Sequence, residues 1–331
     1  MTFETVSVIG GGAWGTALAQ TLSLSGRDVV LWAREPDVVN DINQRHVNRM
    51  FLPGVNLDPS LRATQVLHEA SRSDVLLLVV PAQHVRAVCT ELGRDMGHRQ
   101  TLVVCAKGIE QSTGKMMGEV VREVLPHVQL AVLSGPSFAS DVARGLPAAL
   151  TLACRNEETG RKLAEALSSR QMRLYWSSDV LGTELGGAVK NVLAIAAGIV
   201  AGRGLGASAH AAVVARGFAE LRRFGEAMGA KPETLLGLSG LGDLVLTCGS
   251  PQSRNMSLGR ALGEGQKLSQ ILGSRSAVTE GVYTAAAVVR LAHAKGIEMP
   301  IAEAVHGIIE GCLEVEQVIA SLMQRPLKAE D

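Results

Sequence analysis

The sequence predicts an α/β fold whose first half is a parallel sheet covered by helices and whose second half is mainly helical. Three observations carry that expectation. A short apolar segment at 6–9 runs into Gly10-Gly11-Gly12-Ala13-Trp14-Gly15, and a helical pattern follows at 16–24. Continuous apolar runs at 74–81 and 101–106 recur between helical stretches, as strands buried on both faces do. After about Ser178 the strand signals largely cease, and alanine-rich, glycine-punctuated helical stretches take over.

The glycines have the spacing G-x-G-x-x-G. Gly10 permits the tight turn, Gly12 lets the backbone approach a pyrophosphate, and Gly15 lets helix and strand pack closely. A helix starting there directs unpaired N–H groups and partial positive charge at phosphates. Between a strand and a helix, the segment predicts an N-terminal Rossmann-like, doubly wound sheet that binds a dinucleotide; the alternative is a glycine-rich turn without a ligand. The second strand, 28–33, ends at Ala33 and Arg34, where NAD-preferring sites carry an acidic residue. A guanidinium there suits the 2′-phosphate of NADP. Against this, Glu35 follows, and an arginine at a strand end is often a solvated charge.

The carboxyl ends of the next two strands bring Pro81, Gln83 and Lys107-Gly108 to where ligands bind in such sheets. Lys107 reads either as a cation within reach of a bound anion or as a surface lysine. Residues 130–139 repeat strand, tight turn and helix start; Gly135 permits close backbone approach, and Ser137 reads by itself as a helix N-cap. Strands at 147–154 and 172–176 flank a charged helix at 157–167, so the sheet exceeds the minimal dinucleotide fold. A boundary near 179–184 divides the chain into a dinucleotide-binding domain, 1–180, and a helical substrate and catalytic domain, 181–331.

From 185 to 202 the only polar side chains are Lys190 and Asn191, so this helix is apolar all round and is expected to be buried. Lysine is almost never fully buried unless paired. Asp243, set among glycines and leucines at 237–246, also needs a partner if ionised, and Lys190 is the natural candidate. Ser253-Arg254-Asn255 offers a hydroxyl, a guanidinium and an amide ahead of a helical pattern at 256–262. Such a cluster reads as a phosphate clamp or as an ordinary surface turn.

The 32 basic and 32 acidic residues leave no net charge to attract nucleic acid or an anionic membrane, so the expected partner is a small molecule. Five cysteines, odd in number and widely spaced, form no disulfide or zinc pattern and read as reduced, mostly buried thiols. No histidine pair has helical metal-ligand spacing, and no metal is expected. The N-terminus lacks a basic region before its first strand, and no uninterrupted apolar run approaches the roughly 20 residues of a membrane span. A cytoplasmic protein without membrane insertion is expected.

Six blocks, 10–19, 106–110, 134–139, 187–192, 240–248 and 253–255, spread over both halves, carry a resemblance to the bacterial NAD(P)-dependent sn-glycerol-3-phosphate dehydrogenase family. The resemblance implies an oxidoreductase that passes hydride between NAD(P)H and dihydroxyacetone phosphate, supplying glycerophospholipid synthesis; the arginine at position 34 is what favours NADP(H) over NAD(H). It implies Lys190 as acid/base with Asp243 beside it. Lys107, Gly135, Ser137, Lys190, Asp243, Ser253, Arg254 and Asn255 match substrate-binding positions. Gly10, Gly12, Ala13, Trp14, Gly15, Arg34, Lys107, Ala139, Arg254, Val278 and Glu280 match positions at the dinucleotide. A homodimer is likewise implied. The rival readings are a ketopantoate or β-hydroxyacid-type reductase, which acts on carboxylates, and a non-catalytic NADP-sensing regulator, which would not need Lys190 and Asp243 in apolar surroundings.

Overall fold

Apolar, β-branched stretches form the strands of this chain, and a computed structural model describes its residues 3–97, 100–273 and 278–324. The strands are β1 (Thr5–Ile9), β2 (Asp28–Trp32), β3 (Val47–Asn48), β4 (Leu52–Asn56), β5 (Arg62–Thr64), β6 (Val75–Leu78), β7 (Thr101–Val104), β8 (Gln129–Ser134), β9 (Ala148–Ala153) and β10 (Met172–Ser177). Eight of them make one sheet in the order β10-β9-β8-β7-β6-β1-β2-β5, while β3 and β4 pair separately. Every residue of β6 and β7 is buried, as their unbroken apolar character requires. Two apolar cores cover the sheet, one holding Leu18, Leu31 and Val103, the other Leu76, Leu78 and Val104.

The expected parallel sheet is interrupted once. β8 and β9 pair antiparallel, with Val132 opposite Ala153, so β9 and β10 run against the other six strands. The cause lies in the connection. Helix Ala139–Ala143 leaves the carboxyl end of β8 to pack on helix Ala13–Leu24 instead of returning along the sheet, and the chain re-enters beside the end it left. The first helix also begins earlier than its pattern suggests, at Ala13 rather than Thr16. Gly15 fits a helix there because a Cβ would lie 1.9 Å from the Gly10 carbonyl oxygen. β3, β4 and β5 escaped the sequence reading, since segments of 2 to 5 residues with a mixed burial pattern carry little periodic signal.

Beyond β10 every element among the described residues is helical. Helix Val180–Gly202 is the axis of this half, with nearly all of its 23 residues buried. The helices Gly206–Met228, Asp243–Gly249, Arg254–Gly263 and Glu280–Ala294 pack around it. Its apolar run is interrupted by Lys190 and Asn191; by length and mean composition the whole helix could still cross a membrane, but 89% of its apolar window is buried inside the protein. The polar positions within it spoil no lipid-facing surface, because its neighbours are protein.

Its N-terminal end is fixed by carboxylates. Asp179 caps the helix by accepting from the Gly182 N–H at 2.9 Å and also takes the Lys231 N–H at 2.8 Å. Glu184 accepts from the Gly118 N–H at 2.6 Å, tying the helix to the first turn of Met117–Val124 on the sheet side. Burial pushes the Glu184 carboxyl up to about 7, against the pull of that N–H and of Arg122.

Four of the five cysteines are buried and all are free thiols, while Cys312 is exposed. The thiols of Cys89, Cys105 and Cys248 are pushed up by burial, which keeps them neutral and unreactive.

The close approach of helix Arg254–Gly263 to the central helix depends on missing side chains. A Cβ on Gly259 would lie 2.0 Å from the Ile195 carbonyl oxygen, and one on Gly198 would lie 2.1 Å from that of Met256. Gly259→Val should therefore separate helix Arg254–Gly263 from the central helix. We expect a loss of at least about 3 kcal/mol, at the upper end of overpacking costs, read as a lowered midpoint of thermal unfolding.

Candidate active site

Strand β1 lies between β2 and β6, so the chain leaves it in opposite directions and a crevice opens at the carboxyl ends. The glycine loop after β1 forms one wall and Val79–Pro81 after β6 the other. The crevice continues to the helical half as a cleft of about 800 Å³. Lys190, Asn191, Thr247, Ser253, Arg254, Asn255, Val278 and Glu280 line its far side. Of the residues singled out from the sequence, Gly135 and Asp243 are absent from the cleft wall, and so are Gln83, whose side chain is turned to the Ile109 carbonyl and the Gln111 N–H, and Gly108.

Asp243 sits behind that wall, 1% exposed, between two lysines. The Lys190 ammonium donates to its Oδ1 at 2.6 Å, and the Lys107 ammonium to its Oδ2 at 2.7 Å. Lys190 also donates to the Thr247 hydroxyl at 2.8 Å, and Lys107 to the Gly135 carbonyl at 2.9 Å. An ammonium has three donors, so each lysine retains one beyond these bonds, and both lysines line the cleft. Two cations on one carboxylate leave a net positive charge at the cleft wall. Burial pulls the Lys190 ammonium down to about 8; Asp243 opposes that fall and Lys107 adds to it.

Local sequence explains how the carboxylate reaches this position. The segment Gly237-Leu-Ser-Gly-Leu-Gly242 makes a π-helical turn, Leu238–Gly242, directly before helix Asp243–Gly249. That turn presses on the central helix: a Cβ on Gly186 would lie 2.4 Å from the Ser239 carbonyl oxygen. Side chains at this contact would push Asp243 away from Lys190.

The third group is the start of helix Arg254–Gly263. Ser253 caps it, accepting from the Met256 N–H at 3.2 Å, and Arg254 is exposed on the cleft. The helix begins two residues before the sequence reading placed it, so the whole Ser253-Arg254-Asn255 cluster sits at its N-terminus. The Asn255 amide is engaged at both ends: it donates to Asn191 Oδ1 at 2.9 Å and accepts from the Gly281 N–H at 3.0 Å. Ser137 lies across the cleft, but not as a helix cap. Phe138 takes the N-cap position of Ala139–Ala143, and the Ser137 hydroxyl donates to the Gly135 carbonyl at 3.3 Å. The helix starts one residue too late for the hydroxyl to reach its free N–H groups.

A dinucleotide fits the remaining wall. Helix Ala13–Leu24 starts from Gly12 without any side-chain cap, so its first N–H groups are left for an anion. The space where a Gly12 Cβ would project is empty to 4 Å, so the backbone can be approached closely there. The Trp14 indole nitrogen and Glu280 Oε2 are buried polar atoms without a partner. The other Glu280 oxygen accepts from the Ala82 N–H at 3.0 Å, and burial pushes its carboxyl up. Ala139 and Val278 supply apolar lining, and Arg34 stands at the outer end, paired with Glu35 at 2.9 Å. No group of histidine, cysteine, aspartate and glutamate suited to hold a metal occurs among the described residues.

Three residues at this site went unassigned in the sequence. Thr247 lies four positions after Asp243 on one helix and so shares its face, a spacing that could have revealed it. Asn191 links the Lys107 carbonyl, at 3.0 Å, to Asn255. Asn48 comes from the unforeseen β3 and donates to the Gly11 carbonyl at 2.9 Å, bracing the glycine loop. Asn191 stood out as a polar side chain in an apolar run, but its partners, like that of Asn48, are distant in sequence and left no local trace.

Comparison with known proteins agrees with this geometry. The model of the NAD-dependent glycerol-3-phosphate dehydrogenase N-terminus matches residues 5–160, and that of the C-terminus of the same family matches 179–320. A relative from Parvibaculum lavamentivorans, named glycerol-3-phosphate dehydrogenase of the NAD(P)+ type, is 55% identical, the alignment covering 100% of this chain and 99% of that protein. One of the same name from Caulobacter vibrioides is 54% identical with 100% of both covered. The crystal structure of glycerol-3-phosphate dehydrogenase from Coxiella burnetii superposes with a TM-score of 0.93 at 38% identity, covering 97% of this chain and 99% of that one.

The paired charges make the site sensitive to loss of its middle member. Asp243→Ala would leave two ammonium groups facing each other, with Lys190 buried. Breaking a buried pair costs about 3–5 kcal/mol. Urea unfolding at pH 7 should show a loss of that order, and a combined Asp243→Ala/Lys190→Met variant should recover part of it.

Proposed function

The chain belongs to the NAD-dependent glycerol-3-phosphate dehydrogenase family, and from that premise we propose which groups in its cleft do the work. The protein is an oxidoreductase that interconverts dihydroxyacetone phosphate and sn-glycerol 3-phosphate with NAD(P)(H). Residues 1–180 hold the dinucleotide, and residues 181–331 supply the substrate site and the acid/base. The observation that carries this reading is the Lys190 ammonium at the cleft wall, anchored to Asp243 at 2.6 Å and to Thr247 at 2.8 Å.

Gly10, Gly12 and Gly15, with the N–H groups of Ala13 and Trp14, would receive the pyrophosphate. Arg34 would face the 2′-phosphate, which supports a preference for NADP(H). Lys107, Ala139, Arg254, Val278 and Glu280 would complete the wall. When bound, the cofactor supplies the hydride that reduces the ketone carbon. The chain's part is to hold the ketone and manage the charge. Arg254, Ser253 and Asn255 at a helix N-terminus, with Ser137 and the Gly135 turn opposite, fit the phosphate of the substrate, and fixing it sets the ketone in register. Asn255 acts mainly by positioning, since its amide is already engaged by Asn191 and Gly281. Negative charge then develops on the ketone oxygen. The spare N–H of Lys190 stabilises it and delivers the proton, while the Lys107 charge adds to the field. Asp243 holds both ammonium groups, so little reorganisation is needed during the reaction.

Location in the cytoplasm, a homodimer and a role in supplying phospholipid synthesis are supported by the family resemblance. The burial of helix Val180–Gly202 in the protein core supports the absence of membrane insertion. A carboxylate-directed reductase is disfavoured by the match of both family models and by the clamp around Arg254.

The reading is tested by following NADPH and NADH oxidation with dihydroxyacetone phosphate. Lys190→Ala should lower kcat by on the order of 10²–10⁴-fold with cofactor binding retained. Near-normal turnover would refute the assignment. The depressed Lys190 value has a sign: reduction needs the ammonium, so its rate should fall as pH rises through about 8, while oxidation, which needs the free amine, should rise over the same range. A reduction rate flat across pH 7 to 9 would contradict that role. Arg254→Ala should raise KM for the triose phosphate by on the order of 10–100-fold, the worth of a charged hydrogen bond. A change confined to cofactor affinity would remove Arg254 from the phosphate clamp.

A further inference from the structure

Rossmann-like sites distinguish the two nicotinamide dinucleotides at the end of the second strand. A carboxylate accepts from the ribose 2′-OH of NAD, whereas an arginine fork meets the 2′-phosphate of NADP. This chain carries both groups next to each other, Arg34 and Glu35, and both line the cleft. They are also bonded together. Arg34 Nε and Nη2 donate to one Glu35 oxygen at 3.2 and 2.9 Å, so the guanidinium edge that would grip a phosphate is turned onto a carboxylate.

The backbone beneath the pair is held on several sides. The Arg34 carbonyl accepts from the Gln65 side chain at 3.1 Å, and the Gln65 backbone carbonyl accepts from the Trp32 indole N–H at 3.0 Å. Ala33 N–H donates to the Thr64 carbonyl at 3.0 Å. Glu35 is the N-cap residue of helix Pro36–Arg45, and its carbonyl accepts from the Val38 and Val39 N–H groups. These contacts fix where the two side chains start. They diverge in exposure: the Glu35 side chain is 27% exposed, the Arg34 side chain 79%. The carboxylate is thus the inner member, against the wall, and the guanidinium the outer and more adaptable one.

We propose that Glu35 sets the cofactor preference of this site, by engaging the Arg34 edge that a 2′-phosphate requires while supplying the acceptor that a 2′-hydroxyl requires. The proposal rests on the reading of this end of the cleft as the 2′ position of the dinucleotide. Its physical basis is competition. An exposed ion pair is screened and weak, so a 2′-phosphate can take the guanidinium from Glu35. It does so beside a like charge, which lowers the gain. A 2′-hydroxyl meets the carboxylate with the pair intact. Both dinucleotides are then accepted, and the margin between them is smaller than Arg34 alone would give.

The test compares kcat/KM for NADPH and NADH in the parent protein, Glu35→Gln, Glu35→Ala and Arg34→Ala, all with dihydroxyacetone phosphate. With the carboxylate gone, both Glu35 variants should raise the NADPH-to-NADH ratio by on the order of fivefold or more. Arg34→Ala should lower it. If the Glu35 variants leave the ratio unchanged or reduce it while Arg34→Ala lowers it, Glu35 has no such role and the assignment of Arg34 stands. If Arg34→Ala weakens both dinucleotides equally, the 2′-phosphate reading fails, and the proposal fails with it.

Discussion

The arrangement of this protein turns on one buried carboxylate holding two ammonium groups. Asp243 comes from the helical half, Lys107 from the end of β7 on the sheet, and Lys190 from the central helix. Removing these charges from water is costly, and the cost is offset only if their geometry is kept. The triad therefore serves as a structural joint between the two halves as well as a patch of positive charge at the cleft. Glu184 reinforces the same joint on the other side of the central helix, through its bond to Gly118.

Close contacts without side chains hold the joint in place. The π-helical turn before Asp243 lies on Gly186, and helix Arg254–Gly263 lies on Gly198, each closer than a Cβ would allow. The first contact sets the depth of the carboxylate behind the cleft, and the second sets the height of Arg254 above it. Glycines in the middle of helices weaken them by roughly 0.5–1 kcal/mol each. Here they are retained where backbone meets backbone, so that loss is exchanged for placement of charged groups.

The two ends of the cleft differ in physical character. At the inner end Lys190 and Asp243 are buried, and their charges interact strongly because little solvent screens them. Arg34 and Glu35 are more exposed, and ionic contacts there are individually weak and exchangeable. Chemistry that depends on a fixed proton donor suits the first environment. Discrimination between two related cofactors, which needs only a difference in affinity, suits the second.

Apart from the cleft residues that only the family resemblance supplied, Val278 and Glu280 among them, the sequence by itself determined the doubly wound sheet, the helical second half, the glycine loop and the buried lysine. These were legible because they rest on local patterns: the glycine fingerprint between strand and helix, the unbroken apolar runs of β6 and β7, and an apolar helix with a lysine in it. It also determined that Lys190 and Asp243 each needed a partner, since burial of an isolated charge is prohibitive. Only the tertiary structure decided that Lys107 shares the same carboxylate, that Asn48 and Asn191 brace the site, and that β9 runs antiparallel to β8. Each of these depends on segments far apart in the chain. A one-dimensional pattern records which residues must be buried, whereas the direction of a returning strand and the meeting of distant polar groups are set by packing in three dimensions.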